Sequence, residues 1–420
     1  MSDRDALLAA VRAHPDDDTP RLIYADFLDD AGENARAAFV RAQVEVARSE
    51  PWDPVAVRAR WHADGAPNWR AFAAELPPVK YPVAWAQNPF RRGFGYALHV
   101  MRAADWPEFA EPVFDLEPVG ALSFWSGTLD EWKRVAASPH VKRFRELTFH
   151  NNPIEPLFAL RNNPDAAGVT DIHFERATGA GMPEVIEDLS LSALGRAVRG
   201  LHFRAGYGST GALVCALADR EPLERLSLRL MGVGAEHLTR LFDGRGASAL
   251  AALHLRDEPL GVFGLAALAA HAPHTLRDLA LNSLGVTAEG AELLARCERL
   301  SGLKRLSLSG NRLTPRAARV LSQSHALAGL RALDLSDCRM GDKELRHLVR
   351  SKFWPNLVEL DLRGNPFSAA GARALVDAPV PADLAALVLD GTPLGGAARA
   401  ALVQRFGAAV AFVAPVVIPF

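Results

Sequence analysis

The phrase Leu-x-x-Leu-x-Leu-x-x-Asn-x-Leu returns along this chain, and no other feature of the sequence restricts the fold as tightly. It stands at Leu303, Leu306, Leu308, Asn311 and Leu313, and again at Leu357, Leu360, Leu362, Asn365 and Phe367. Softer copies fill most of residues 119 to 394. The first apolar position of each copy falls at Val119, Phe144, Val169, Val198, Leu223, Leu250, Leu276, Leu303, Leu330, Leu357 and Leu384. The intervals are 25, 25, 29, 25, 27, 26, 27, 27, 27 and 27 residues. A fixed period of this length means stacked units that each bury an apolar side on their neighbours. Stacking lets 420 residues fold without a single oversized core.

Each unit has two halves. The Leu-x-Leu half alternates, so its leucines point to one side of a short strand. A turn follows, then a helical half such as TPRAARVLSQS or SAAGARALVDA. Thr314 reads as an N-cap with Pro315 at the first helical position, and Ser368 and Thr287 stand at equivalent places. Asn152, Asn311 and Asn365 fall where the chain turns and leaves backbone groups without ladder partners. A buried amide can both donate to and accept from such groups. Cys338 and Thr392 fill the same slot as small residues able to cap a turn. Cys215 and Cys297 lie in helical halves and read as buried small apolar residues.

The chain resembles the leucine-rich repeat family, and its strand-plus-full-helix unit is similar to the ribonuclease-inhibitor-like class. The resemblance spans about two-thirds of the chain, residues 119–405, as about eleven repeats. It implies an α/β solenoid, a curved horseshoe with parallel strands on the concave face and helices on the convex one. The early copies depart from the pattern: Gly127, Ala177 and Gly206 replace asparagine, and Val or Phe replaces Leu.

Residues 1–50 differ. Ser2 and Asp5 have capping-box spacing, Thr19 reads as an N-cap before Pro20, and Gly32 as a stop. Phe39, Val40, Val44 and Ala47 share one helical face. The stretch DDDTPRLIYADFLDDAGENARAAFVRAQ resembles a short bacterial repeat-companion domain found in front of repeat arrays, with Phe27 and Ala38 departing from the pattern. That resemblance implies no activity. Residues 51–118 hold Trp52, Trp61, Trp69, Trp85 and Trp106 and read as the N-terminal cap of the solenoid, with NPFRRGFGYALHV as a first strand. Residues 406–420 read as the C-terminal cap, the apolar tail as a closing strand.

Bulk properties exclude several classes. Net charge is -2, so no global field draws the chain to nucleic acid or an anionic membrane. Arginine outnumbers lysine 41 to 6, which carries no functional weight. No stretch approaches the ~20 apolar residues of a bilayer span, and the N-terminus lacks a signal-like run. Three cysteines without a Cys-x-x-Cys fit a reducing cytoplasm. GYGSTG at Gly206, Gly208 and Gly211 matches a phosphate-cradling pattern. Every repeat here is strand, turn and helix, however, and Arg229 stands where the acidic ribose partner is needed. The acidic run Asp16, Asp17, Asp18, with Asp26, Asp29, Asp30 and Glu33, has no calcium-loop spacing and reads as solvated carboxylates near helix starts. No nucleophile or metalloprotease motif is present, so no cofactor and no enzymatic activity are expected.

The variable letters beside the strand leucines face the concave side. They give Ser123 and Trp125, Thr148 and His150, His173 and Glu175, His202 and Arg204, Ser227 and Arg229, His254 and Arg256. Arg204, Arg229 and Arg256 align as a ladder on three adjacent strands, where like charges are tolerated by splaying or by meeting acids. Three readings stand: a solvated polar face, a patch for an anionic region of a partner, or a metal held by His150, His173 and His202. Farther along, Asp334, Glu359, Asp361 and Asp390 turn the face acidic. Such a bipolar surface suits an oriented protein partner better than nucleic acid. The sequence therefore predicts a cytoplasmic, non-enzymatic scaffold whose partner contacts are Trp125, His150, His173, Glu175, His202, Arg204, Arg229, His254 and Arg256. The alternatives are a regulator of an enzyme such as a small GTPase, by likeness to other arrays of this class, or an enzyme using residues 1–118.

Overall fold

The computed structural model describes residues 2–65, 72–151, 154–176, 182–204, 210–390 and 394–413, with the backbone alone at 61–65 and 109. The chain divides into two compact units, Met1–Pro51 with Ala59–Ser209, and Trp52–Arg58 with Thr210–Phe420.

The first unit opens with α1 (Asp3–Ala13), α2 (Thr19–Asp30) and α3 (Asn34–Arg48); α4 (Pro54–Gly65) spans the division between units. Ser2 and Asp5 form the reciprocal capping box. Helix α2 starts one residue earlier than expected: Thr19 is already helical, and its N–H donates to Asp17 Oδ1 at 2.8 Å. Gly32 takes a left-handed φ of 80°, which ends α2 without a Cβ penalty. Val11, Tyr24, Leu28, Val40 and Val44 form the module's core, and Phe94, far away in sequence, completes it.

The strands follow: β1 (Val83–Trp85), the two-residue ribbon β2 (Phe90–Arg91) and β3 (Phe94–Gly95), and β4 (Ala97–Arg102). The segment NPFRRGFGYALHV is therefore a hairpin ahead of a strand, and β1, antiparallel to β4, precedes it. Arg36 explains the ribbon. Its guanidinium lies over Phe39, Phe72, Phe90 and Phe94 and donates to the Gly93 carbonyl at 2.7 Å. Such cation–ring contacts gain strength as water is excluded. The acidic run belongs to the same junction. Asp18 is buried and lies 2.9 Å from Arg48 and 3.3 Å from Arg92, and Asp16 meets Arg145 at 2.7 Å. These two carboxylates are thus ion-paired to distant residues rather than simply solvated.

Beyond β4 the repeat takes over: β5 (Ala121–Ser126), α5 (Leu129–Ala136), β6 (Glu146–His150), α6 (Ile154–Leu160), β7 (Asp171–Glu175), α7 (Met182–Leu191), α8 (Ala193–Ala197) and β8 (Gly200–Arg204). Strands β4 to β8 pair in parallel and in register. Their core is aromatic. Trp106 is buried among Phe114, Phe124 and Phe144, with ring centroids 5.2–6.4 Å away.

The second unit continues with α9 (Thr210–Asp219), β9 (Arg225–Arg229), α10 (Ala235–Asp243), β10 (Ala252–Arg256), α11 (Gly261–His271), β11 (Asp278–Asn282), α12 (Ala288–Arg296) and β12 (Arg305–Ser307). Then come α13 (Pro315–Ser322), β13 (Ala332–Asp334), α14 (Asp342–Leu348), β14 (Glu359–Asp361), α15 (Ala369–Asp377), β15 (Ala386–Asp390), α16 (Gly396–Phe406) and β16 (Val410–Val413). All neighbouring pairs from β9 to β16 are parallel. Thr287, Thr314 and Ser368 cap their helices through side-chain oxygens. Each unit is an α/β solenoid: parallel strands form one layer and helices the other, with leucines or aromatics between.

All eleven starting residues of the sequence phrase are buried, and each strand from β5 to β15 begins two residues after its start. A fully buried leucine contributes about 1.5–3 kcal/mol, so the spacing of these residues sets the strand positions. Cys297 and Cys338 are buried, but Cys215 is exposed, because the helical phase of α9 turns it away from the core.

Candidate functional site

Alternation along each strand sends every second side chain to the open face of the sheet. In the first unit that face is a grid. Its middle row, in register, is His99, Ser123, Thr148, His173 and His202. The row at the strands' C-terminal ends holds Trp125, His150, Glu175 and Arg204. Strand spacing of about 4.8 Å brings planar side chains within stacking range. Trp125 and His150 stack with centroids 4.0 Å apart and planes 7° apart, and His99 meets the Trp125 ring nearly edge-on. His173 and His202 stack at 4.1 Å and 11°. His150 Nε2 is 2.9 Å from Ser123 Oγ, His202 Nε2 is 3.3 Å from Asp171 Oδ1, and an Arg204 Nη donates to Glu175 at 3.2 Å.

These contacts determine charge. Burial pushes His173 down to about 4, with the neighbouring His202 acting in the same direction, so its ring is neutral near pH 7. Burial also lowers His99 and His150; Glu175 opposes the shift at His150. The third row is acidic. Glu146 stands opposite Asp171, and burial raises the Glu146 carboxyl although Arg91 lies 2.8 Å away. Like charges opposite one another are unfavourable across strands, and Arg91 and His202 relieve this pair.

In the second unit Arg229 and Arg256 stand directly opposite each other on β9 and β10. Asp257 reconciles them, lying 3.0 Å from Arg229 and 3.5 Å from Arg256. His254 Nε2 lies 3.3 Å from Asp278. Of the three arginines aligned in the sequence, Arg204 belongs to the first unit, where its register partner is Glu175. Toward the C-terminus, Ser307 Oγ donates within reach of both Asn282 and Asp334, and Arg363 folds back onto Asp361. The acidic residues Asp334 and Asp361 are therefore engaged rather than bare.

The turn slot is a separate, structural site. Asn311 is fully buried; its Oδ1 accepts from Leu284 and Val286 N–H, and its Nδ2 donates to the Leu281 and Leu308 carbonyls. Asn365 accepts from Met340 N–H and donates to the Leu335 and Leu362 carbonyls. Cys338 Sγ donates to the Leu308 carbonyl at 3.1 Å, and burial pushes its thiol up to about 12. Asn152 and Thr392 lie outside the described residues. Sequence reading missed Glu258 in the same slot, buried and accepting from Met231 and Val233 N–H. Its position three residues after Leu255, matching Asn311 after Leu308, was the available signal. It also missed a periodic left-handed residue, seven after the start, at Asn151, Arg176, Leu230, Asp257, Ser283, Gly310, Asp337 and Gly364. Only two of these are glycine, so composition does not reveal them.

Most of GYGSTG, its residues 206–209, lies outside the described residues, as does Trp69. Among the described residues no His, Cys, Asp and Glu group has the geometry to hold a metal ion, including His150, His173 and His202. No described helix is long and apolar enough to cross a membrane.

Residues 330–343 and 355–376 match a family model described as Leucine Rich repeat. These stretches are leucine-rich repeats, and the strand, turn and helix they contain are the unit that β5 to β15 repeat. No curated protein matches the chain in sequence. Among solved structures the chain is similar to one in the crystal structure of the Rad7 and Elc1 complex in yeast, at 14% identity. That likeness covers 95% of this chain and 96% of the other, with a TM-score of 0.46. A Bacteroides fragilis protein is also 14% identical over 68% of this chain and 77% of its own, with a TM-score of 0.40. A chain in the TLR13–ssRNA13 complex is 14% identical over 68% of this chain and 36% of its own, with a TM-score of 0.29.

Proposed function

We propose that this is a non-enzymatic, cytoplasmic binding protein that docks a protein partner on the open face of its sheet. The observation carrying this reading is the side-chain order of that face. Trp125 and His150, and His173 and His202, are stacked in place before any partner arrives. A prearranged surface loses little side-chain entropy on docking, and aromatic and arginine side chains concentrate binding energy at interfaces. The contacts are Trp125, His150, His173, Glu175, His202 and Arg204 on the first unit, and Arg229, His254 and Arg256 on the second.

A protein suits this face better than nucleic acid. A phosphate backbone needs an uninterrupted basic track, and here Glu146, Asp171 and Glu175 lie among the histidines and Arg204. The neutral His173 ring adds hydrogen-bonding capacity without charge. Residues 1–50 are assigned as a repeat-companion module whose core Phe94 completes.

The test is affinity capture from the native cell with the wild type, with Arg204→Glu/Arg229→Glu/Arg256→Glu, and with Trp125→Ala. The expected result is loss of the same partner by both variants, each keeping a wild-type circular dichroism spectrum. An unchanged partner list for both folded variants would remove the sheet face from consideration.

A further inference from the structure

A second surface lies on the helix side of the second unit. Helices α14 and α15 border a groove of about 360 Å³ whose lining includes Arg346, Arg350, Arg373, Asp377, Ala370 and Ala374. Ala370 and Ala374 are four residues apart and so share one side of α15, and their small side chains leave the space open. The charges are unequal. Arg373 already donates through Nε to both carboxylate oxygens of Asp377, at 2.8 and 2.9 Å. Arg346 uses only its Nε, on the Asp342 carbonyl. The exposed Arg350, in the turn just beyond α14, and the exposed Lys343 on α14 form no ion pair with any described residue. The two acids of α14 are both engaged: Asp342 accepts from Ser368 N–H and Oγ, and Glu344 from Gly341 N–H.

We propose that this groove binds an acidic peptide segment of a partner protein, independently of the sheet face. Two carboxylates of the peptide meet Arg346 and Arg350, and small side chains between them rest against Ala370 and Ala374. Arginine suits this role because its planar fork can take a carboxylate with two parallel hydrogen bonds. The groove's bounded volume and its small floor favour a peptide over a polyphosphate, which follows a long basic track.

The probe is a fluorescein-labelled peptide of alternating glutamate and alanine, titrated at low salt with the full chain and read by fluorescence anisotropy. Its glutamine counterpart and a single-stranded DNA oligonucleotide serve as controls. The glutamate peptide is expected to bind, and the glutamine peptide not to. Arg346→Glu/Arg350→Glu should weaken binding at least about tenfold. Ala374→Trp, which leaves every charge in place but fills the groove, should weaken it similarly, with Ala374→Leu intermediate. Circular dichroism confirms that each variant is folded. Full binding by the Ala374 variants would overturn the proposal, since diffuse attraction would then be sufficient. DNA binding as tight as the peptide's, or no peptide binding at all, would overturn it too. So would a concentration-dependent dimer, seen in ultracentrifugation, that excess peptide does not dissociate, because a second copy would then own the groove.

Discussion

The two units solve one packing problem with different chemistry. In the second, leucines fill the inward positions and buried amides at Asn311 and Asn365 satisfy the turn backbone. In the first, aromatics fill the corresponding space: Phe124, Phe149, Phe174 and Phe203 stand where the second unit has Leu228, Leu255 and Leu281. The open faces differ in the same way. The first unit stacks rings, whereas Ser307 and Ser336, on and just after β12 and β13, bond to Asn282, Asp334 and Ser309. The repeats of the second unit follow at 26 or 27 residues, and Asn311 and Asn365 each accept from a turn N–H of the repeat before. Large rings tolerate intervals of 25 and 29, because interlocking aromatic shapes fill uneven gaps.

The strongest way to break this comparison is Trp106→Ala. Removing a buried ring surrounded by Phe114, Phe124 and Phe144 should cost about 3–5 kcal/mol, read by urea unfolding. A loss below about 1 kcal/mol would show that the aromatic core does not hold the first unit. Next is Asn311→Ala, which strands the N–H groups of Leu284 and Val286. The expected cost is about 3 kcal/mol, from desolvated donors left without partners. Hydrogen exchange should quicken at those two amides and leave the first unit unchanged.

A pH profile sharpens the contrast further. Burial raises the Glu117 carboxyl to about 7, while Gly95 N–H donates to it. The folded chain thus keeps a proton that the unfolded chain releases above about 4.5. Stability therefore falls as pH rises from about 4.5 to about 7 and is level above that. Glu117→Gln keeps the acceptor and removes the titration, so its advantage over wild type should grow through that window. Parallel profiles for the two proteins would contradict the assignment. The smallest effect is at the left-handed turn. Leu230 adopts a φ of 56°, so Leu230→Gly relieves strain of about 1–2 kcal/mol against a chain-entropy cost of about 0.5–1. A net gain of about half a kcal/mol in thermal unfolding is expected. Gly310→Ala should lose stability, since Gly310 holds a left-handed φ of 74° and its Cβ would crowd Ser283 Oγ.

The strand positions were legible because inward residues must be apolar at a fixed spacing; Leu303, Leu306 and Leu308 announce β12 directly. The first strand was legible in NPFRRGFGYALHV, but the β2–β3 hairpin ahead of it was hidden, because its Gly93 carbonyl is held by Arg36, over fifty residues away. The pairing of Asp16 and Asp18 was hidden for the same reason, as Arg92 and Arg145 come from later segments. The face residues were legible by alternation, since each candidate is a neighbour of a buried strand residue. Their mutual geometry was not: the Trp125–His150 stack and the Asp257 bridge depend on register and rotamer, which sequence does not display. Cys215 needed the phase of α9, which an all-apolar helix such as TGALVCALAD obscures.

The most direct measurement is site-specific photocrosslinking in the native cell, with benzoylphenylalanine placed at position 125 on the sheet face or at the exposed position 263 on α11. The proposed face predicts one partner adduct from position 125 and none of that partner from position 263. An adduct with the partner from position 263 alone would contradict it.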